Sequence, residues 1–241
     1  MGRKIRNWQI NRIVDRELSR CAGTYARGRL IDIGCATKPY AGFFRNHVSE
    51  HIGVDHAESM HSSAMVDLVG TAYSIPVEDE SFDTALCSAV LEHLEEPEAA
   101  LRECFRVLRP GGMALYTVPF IWPLHEEPRD FFRYSRYGLD YLFRKSGFAI
   151  IELKPLSGFW ITFGQQFVYY LDRFNRGPLR WLHLIDLFSL IIQSFSAVFD
   201  RLDRAEGWTW MYLVVAMRPT SAEGGAAPGY ETDRGEAITD R

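Results

Sequence analysis

The stretch LIDIGCATKPY at residues 30–40, followed by IGVD at residues 52–55, decides the fold of this chain. An apolar run enters a turn at Gly34, and about twenty residues later a second apolar run ends in the acid Asp55. This order is typical of two neighbouring parallel strands that bind a nucleoside, with the backbone packed close at the turn and a carboxylate on the ribose hydroxyls.

The turn itself narrows the class of nucleoside cofactor. Dinucleotide-binding turns carry glycine at the three positions that here read Gly34, Ala36 and Pro39. Pro39 has no amide hydrogen, and it adds bulk where the third glycine normally permits helix packing and the approach of the pyrophosphate. A nicotinamide oxidoreductase is therefore disfavoured. A ligand with only a ribose, an adenine and a small zwitterion, such as S-adenosylmethionine, suits the turn better.

Composition sets the size and class of the protein. The 241 residues are 47% hydrophobic and 24% charged, which is typical of a globular chain with one full core and some additional structure. The net charge of −4 argues against nucleic acid as the main partner. Because the four cysteines form no Cys-x-x-Cys pair and no apolar leader is evident, we expect reduced thiols, no bound metal and a cytoplasmic location, either free or peripheral at the inner face of the membrane.

Strand and helix patterns alternate after an N-terminal helix over residues 1–27. This alternation predicts a doubly wound, mostly parallel sheet. Strands are predicted at 29–33, 51–55, 64–68, 82–88, 112–118, 147–153 and 209–217, and helices near 39–46, 97–108 and 136–146. The sheet domain would comprise residues 28–154 and 208–218, and the polar tail at 219–241 is predicted to be disordered.

An apolar helical insertion over residues 155–207 interrupts the alternation before the last strand. It holds two predicted helices, at about 159–174 and 179–203. Polar residues recur in the second at steps of three and four: His183, Asp186, Ser189, Gln193, Ser196, Asp200 and Asp203. So apolar a helix is expected to bury most of its circumference, against its own domain or a second copy, with peripheral contact of residues 159–203 with a membrane surface as the open alternative. A membrane span is disfavoured, since a charge such as Asp186 costs about 2.5–3.5 kcal/mol at the bilayer centre.

Five motifs occur in an order that resembles a known family. They are DIGC at 32–35, Asp55, IPVEDESFD at 75–83, VLEH at 90–93 and LRPGG at 108–112. Together they resemble the class I S-adenosylmethionine-dependent methyltransferases of the type 11 group, over residues 28–153. The run PFIWPLHEEPRD at 119–130, with Tyr134 and RYGL at 136–139, resembles a bacterial subgroup, some of whose members lie among genes for envelope polysaccharide or lipid synthesis.

The resemblance implies a Rossmann-like methyltransferase fold and a set of cofactor-binding positions. Asp32 would orient the methionine ammonium, Asp55 would accept the ribose hydroxyls, and Thr71 with Ala72 would meet the adenine. The full set is Asp32, Gly34, Cys35, Ala36, Asp55, Thr71, Ala72, Ser88 and Ala89. The chain departs from the family at Ala36, where a glycine is usual, and at Thr71, where an acid is common.

The loop at 119–137 would align the methyl acceptor, a small molecule, lipid or glycan. His125 is predicted as the base, since its ordinary pKa suits the task, Arg129 as the group that binds an anionic acceptor, and Asp130 as the residue that orients either. The alternative is a lid whose charges pair with one another. Glu92-His93 is expected to fix the loop after the fourth strand rather than to catalyse. The competing function is a non-catalytic, cofactor-binding or membrane-associated scaffold.

Overall fold

The computed structural model describes residues 5–57, 63–203 and 205–220. Its strands are β1 (Arg29–Ile33), β2 (Glu50–Asp55), β3 (Leu68–Val69), β4 (Phe82–Ser88), β5 (Leu108–Pro119), β6 (Ala149–Pro155) and β7 (Met211–Met217). Its helices are α1 (Trp8–Tyr25), α2 (Ala41–Phe44), α3 (Pro97–Val107), α4 (Arg136–Lys145), α5 (Phe159–Asp172), α6 (Gly177–Trp181) and α7 (Leu184–Leu202). Within these residues the predicted seven-stranded α/β fold is confirmed.

The strands form one sheet in the order β3-β2-β1-β4-β5-β7-β6. All pairings are parallel except those of β7, which runs antiparallel to both β5 and β6. Side chains of β5 alternate between two cores, with Leu115 on the face covered by α1 and Tyr116 on the face covered by α3 and α4. Helices on both faces bury the sheet, so its central strands are almost continuously apolar.

The third strand differs from its prediction at 64–68. Residues 63–65 form a 3-10 turn, and β3 is only the pair Leu68–Val69 beside the end of β2. The Asp67 carboxylate accepts the Gly53 N–H at 2.6 Å and also pairs with Lys38, so a side chain takes the place of further strand pairing. The tail predicted to be disordered lies outside the described residues from position 221 onward.

The second insertion helix is broken, so the continuous helix predicted over 179–203 is wrong. His183 separates α6 from α7 with a left-handed backbone, at φ 52°. Its Nδ1 lies 2.9 Å from Oδ2 of Asp186, an acid in the first turn of α7, where negative charge suits the helix dipole.

The polar stripe of α7 faces inward, so the expectation that its apolar circumference packs against its own domain is wrong, and burial of that circumference against a second copy or a bilayer surface stays a prediction. Ser189, Gln193 and Asp200 are buried, whereas Phe195 is 62% and Leu202 78% exposed. The Asp200 carboxylate accepts the N–H groups of Gly158 and Ile161 at the start of α5, so the stripe serves backbone donors of the same domain. Among the described residues, no helix has both the length and the apolar character needed to cross a bilayer.

Candidate active site

The turn after β1 is tied to β2 by its own backbone. The N–H groups of Gly34 and Cys35 both donate to the Val54 carbonyl, at 2.9 and 3.2 Å. Gly34 has φ +70°, and a Cβ atom there would lie 2.5 Å from Cγ2 of Val90. Only glycine fits this close approach, so the turn leaves its backbone open to whatever binds above it.

Asp55 is held in place at the end of β2. Its Oδ2 accepts the Ala36 N–H at 2.9 Å, and its Oδ1 accepts the His56 N–H at 2.8 Å. A carboxylate has about four lone-pair positions, so each oxygen can still accept a hydroxyl. A fixed bidentate acceptor of this kind suits the two hydroxyls of a ribose.

Asp32 lies at the carboxyl half of β1 and is almost fully buried. Its Oδ2 is 3.0 Å from Nε2 of His51, and burial raises the pKa of the Asp32 carboxyl, with His51 acting against that rise. A buried carboxyl that meets the cavity is suited to a cationic ligand group, because added positive charge offsets the cost of its burial.

One cavity of about 820 Å³ lies over the carboxyl ends of β1, β2 and β4. All nine residues predicted to bind the cofactor line it, from Asp32 to Ala89. This is the edge where open α/β sheets bind their ligands, and the volume suits a nucleoside with an amino-acid tail. The residues and the space therefore fit S-adenosylmethionine.

The opposite wall of the cavity comes from the loop between β5 and α4. Glu126 and Arg129 line it, whereas His125 and Asp130 do not. The Phe131 and Phe132 N–H groups donate to the Glu92 carbonyl at 2.9 and 3.2 Å, which anchors the loop on the turn after β4. The structure thus brings Arg129 to the cavity and places the other two predicted catalytic residues behind its wall.

Asp130 holds the loop together. Its carboxylate accepts hydrogen bonds from both terminal nitrogens of Arg133, at 2.6 and 2.7 Å. It also accepts one from the backbone N–H of His125, at 3.0 Å. Hydrogen bonds from Arg133, stronger than the opposing burial, lower the pKa of Asp130 to about 2. This pairing within the loop corresponds to the lid alternative for Asp130.

His125 is packed among rings. Trp122 stacks on it at 5.0 Å between centroids, and His93 meets it edge-on at 4.7 Å. Burial, and then the neighbouring His93, lower the pKa of His125. His93 lines the cavity, as does His56, and the sequence-based prediction left both out of the site.

Glu92 is the buried acid of this region. Its side chain is 0% exposed, and neither carboxylate oxygen has a hydrogen-bond partner among the residues that the structure describes. Burial raises the pKa of Glu92 to about 8. The runs VLEH at 90–93 and PLHEE at 123–127 each place a histidine beside an acid, but no sequence signal joins the two runs, so their contact was not predicted.

Comparisons with known proteins agree with this geometry. Residues 31–116 match the sequence family described as a methyltransferase domain. The "probable S-adenosylmethionine-dependent methyltransferase" of Mycolicibacterium smegmatis is 32% identical over 113 residues, or 44% of this chain and 42% of that protein. A ubiquinone biosynthesis O-methyltransferase of Alkalilimnicola ehrlichii is 26% identical over 138 residues, or 52% of this chain and 53% of that one. The chain spans about half the length of these relatives.

A solved structure extends the likeness in fold beyond the matched segment. The crystal structure of the 4+2 cyclase SpnF has a TM-score of 0.58 and 22% identity, covering 86% of this chain and 81% of that one. It shares the fold under the name of a different reaction, so the fold by itself does not fix the chemistry. Taken with the nine cavity residues, the match over residues 31–116 identifies this part of the chain as a methyltransferase domain of the class I, S-adenosylmethionine-dependent type.

Proposed function

We propose that the chain transfers a methyl group from S-adenosylmethionine to a small-molecule, lipid or glycan acceptor. One observation carries the proposal: a single cavity joins the nine cofactor positions to the loop that would face an acceptor. Bound S-adenosylmethionine supplies a methyl group activated by the sulfonium, so the bond to sulfur breaks as the bond to the acceptor forms. An acceptor hydroxyl would lose its proton to water. The chain's own residues have to align the two reactants and exclude bulk solvent.

On the cofactor side of the cavity, carboxylates held in fixed positions and exposed backbone groups of the first turn would bind S-adenosylmethionine. Asp55 would bind the ribose hydroxyls, Asp32 the methionine ammonium, and the turn at 34–36 the remaining amino-acid part. Thr71 and Ala72 would meet the adenine. Each of these positions lines the cavity, and the Asp55 carboxylate is oriented by two backbone N–H groups before any ligand binds.

The acceptor side would work through Arg129 and its supports. Arg129 lines the cavity and would bind an anionic part of the acceptor. We propose positioning roles for His125 and Asp130, because both lie behind the wall. Asp130 would hold the loop through Arg133 and through the N–H of His125.

Calorimetry and label transfer test the function together. We expect the full chain to bind S-adenosylmethionine, and Asp55→Ala to weaken binding at least tenfold, while Asp79→Asn, an exposed acid on the other edge, does not. Incubation with methyl-labelled cofactor and fractionated lysate should label an acceptor fraction. Binding without any labelling would favour the non-catalytic scaffold, and no binding at all would overturn the proposal.

We further propose that the insertion docks on an anionic lipid surface and that the acceptor is membrane-associated. Phe163 and Phe167 of α5 and Phe188 and Phe195 of α7 lie on its exposed apolar face. The other large apolar residues exposed there are Tyr170, Phe174, Leu179, Trp181, Leu182, Leu187, Leu190, Ile191, Val198, Phe199 and Leu202.

The charge beside this face favours lipid over a second copy. Arg173, Arg176 and Arg180 are exposed at the α5–α6 corner next to Trp181, which is 80% exposed. Basic side chains with tryptophan and phenylalanine are typical of helices that lie in a membrane interface. A dimer that packed this face in parallel would bring the two arginine-rich corners together, where they would repel each other.

Vesicle co-sedimentation tests the docking. We expect the chain to sediment with phosphatidylglycerol vesicles, and less with phosphatidylcholine ones, because the arginines respond to anionic headgroups. Phe188→Ser with Phe195→Ser should release it, whereas Tyr137→Ser, at an even more exposed aromatic on α4, should not. A concentration-dependent dimer in sedimentation velocity without vesicle binding would replace the lipid by a second copy.

A further inference from the structure

We propose that Glu92, His93 and His125 form a site for a divalent transition-metal ion in the wall of the cavity. Oε1 of Glu92 lies 3.8 Å from Nε2 of His93 and 3.8 Å from Nε2 of His125. One possible ligand atom of each residue lies within 4.8 Å of the other two. Two ligands bound at about 2.1 Å in a tetrahedral site are about 3.4 Å apart, so small side-chain rotations close the set.

The two histidines are oriented as metal ligands are. Nδ1 of His93 lies 2.5 Å from the Arg129 carbonyl, and Nδ1 of His125 lies 3.2 Å from the Pro123 carbonyl. A carbonyl can only accept, so the Arg129 carbonyl places the proton of His93 on Nδ1 and leaves its Nε2 with a lone pair. At His125 the Pro123 carbonyl and Oδ2 of Asp130, 3.4 Å from Nδ1, favour the same tautomer against the Arg133 guanidinium, whose nitrogen is also 3.4 Å from Nδ1. Outer-shell carbonyls that fix the tautomer in this way accompany metal-bound histidines as a rule.

The carboxyl group of Glu92 gives a second, separate indication that an ion binds here. Its carboxyl group is fully buried and faces the two Nε2 atoms, and within the described part of the chain neither of its oxygens has a hydrogen-bond partner. A buried carboxyl left without partners is costly, and native structures resolve this with a partner, a water or an ion. A cation bound between Glu92, His93 and His125 would give the buried carboxyl oxygens of Glu92 the partner that they lack.

The donor set defines the class of ion. Two imidazoles and one carboxylate suit Zn²⁺, Fe²⁺, Co²⁺ or Mn²⁺ rather than Ca²⁺ or Mg²⁺, which prefer oxygen. Three protein ligands are typical of sites that keep a position open for water or substrate. His93 and Glu126 line the cavity, and Oε2 of Glu126 is 3.7 Å from Nε2 of His93, so the ion would lie where an acceptor oxygen could reach it.

The ion's role rests on the proposed methyl transfer, but its binding does not. At this wall it would hold an oxygen of the acceptor, which makes oxygen-bearing acceptors the expected class. A hydroxyl bound to a divalent cation loses its proton more readily, so a bound acceptor hydroxyl would release its proton to water without a histidine base.

Direct binding to the full chain tests the site. The protein is stripped with a chelator, and Zn²⁺ and Co²⁺ are titrated by calorimetry and by absorption. We expect one ion per chain and Co²⁺ bands of a low-symmetry nitrogen–oxygen site. Glu92→Gln and His93→Gln should each weaken binding by at least about 100-fold, beyond the about 10–100-fold that outer-shell partners contribute.

Two controls keep the outcomes distinct. His47→Gln, an exposed histidine near α2, should bind the ion like the unaltered chain, and urea denaturation shows which variants are folded. If the unaltered chain binds no ion stoichiometrically, or if His93→Gln and His47→Gln bind it equally, the site is overturned. Metal binding without label transfer in any lysate fraction would leave the site standing and overturn the proposed function alone.

Discussion

Leu115 in the sheet and Gln193 in the insertion are both completely buried, yet they belong to interiors of opposite character. The sheet domain packs leucine, valine and phenylalanine inward on both faces. The insertion packs glutamine, serine and aspartate inward and turns phenylalanine and leucine outward. Amphipathicity therefore shows that a helix has two unlike faces, but its surroundings decide which face is buried.

The polar interior of the insertion is held together by hydrogen bonds from α5 and α7 to backbone groups near the start of the chain. Oε1 of Gln193 accepts the Gln9 N–H at 2.9 Å, and its Nε2 donates to the Ile5 carbonyl at 3.1 Å. Nε2 of Gln165 on α5 donates to the Arg6 carbonyl at 3.0 Å. The start of α1 thus offers unpaired backbone groups, and α7 presents its polar stripe because an apolar face would leave them unsatisfied.

The largest expected effect comes from removing a leucine from each region. Leu115→Ala should lower the free energy of unfolding by about 2–5 kcal/mol, because it leaves a cavity in a close-packed core. Leu187→Ala, at a position 54% exposed on α7, should change it by less than about 0.5 kcal/mol. Urea denaturation of both variants measures the difference. A loss above about 2 kcal/mol for Leu187→Ala would show that the outer face is covered in solution.

The next effect tests the polar interior. Gln193→Ala leaves the Gln9 N–H and the Ile5 carbonyl without this partner, which should cost about 1–3 kcal/mol of unfolding free energy. Ser194→Ala, one residue on and exposed, is the matched control and should be neutral. Equal stability of the two variants, again by urea denaturation, would mean that water replaces Gln193 without cost.

Patterns within one element predicted most of the sheet domain. The Gly34 turn and the acid of Asp55 mark two strand ends, and strand ends share one edge of the sheet, so the nine cofactor positions follow from the sequence and its family resemblance. All nine line the cavity, and their contact with the cofactor is the proposal made above. The prediction of a strand at 64–68 is wrong because the side chain of Asp67, rather than a run of paired strand residues, joins this segment to β2.

Contacts between distant elements escaped prediction. The inward stripe of α7 depends on backbone groups about 190 residues away at Ile5 and Gln9. Likewise, Glu92 and His125 are 33 positions apart and meet only because the β5–α4 loop binds the turn after β4. The periodicity of a sequence shows which residues share one face of a helix. It does not show which distant segment that face contacts, so neither of these two contacts could be predicted.

A smaller effect is expected where α1 joins the sheet. Glu17 is buried, and although burial opposes it, hydrogen bonds from Lys154 and Arg20 lower the pKa of Glu17. A carboxyl with a lowered folded pKa stabilises above its unfolded pKa, and this contribution is lost as pH falls through the folded value. Glu17→Gln should therefore be less stable than the unaltered chain at pH 7, and the gap should narrow below about pH 4.5.

Denaturant midpoints at several pH values check this. Asp15→Asn on the same helix is the control, and its difference from the unaltered chain should not follow the same profile. A gap for Glu17→Gln that stays constant from pH 7 to pH 3 would show that the buried pair contributes through packing rather than through charge.

The smallest effect is expected in the turn after β1, where a residue other than glycine has a left-handed backbone conformation. Ala36 has φ 45°, a left-handed backbone that costs a non-glycine residue about 1–2 kcal/mol. Glycine relieves that strain and loses about 0.5–1 kcal/mol to its greater freedom when unfolded, so Ala36→Gly should be neutral or stabilise by up to about 1 kcal/mol. Because its N–H still donates to Asp55, S-adenosylmethionine affinity should hold or rise by no more than about fivefold. Ala99→Gly, the same change inside α3, should instead destabilise by about 1 kcal/mol. If both variants lose stability alike, the alanine is unstrained, and the family's glycine is replaced here without cost.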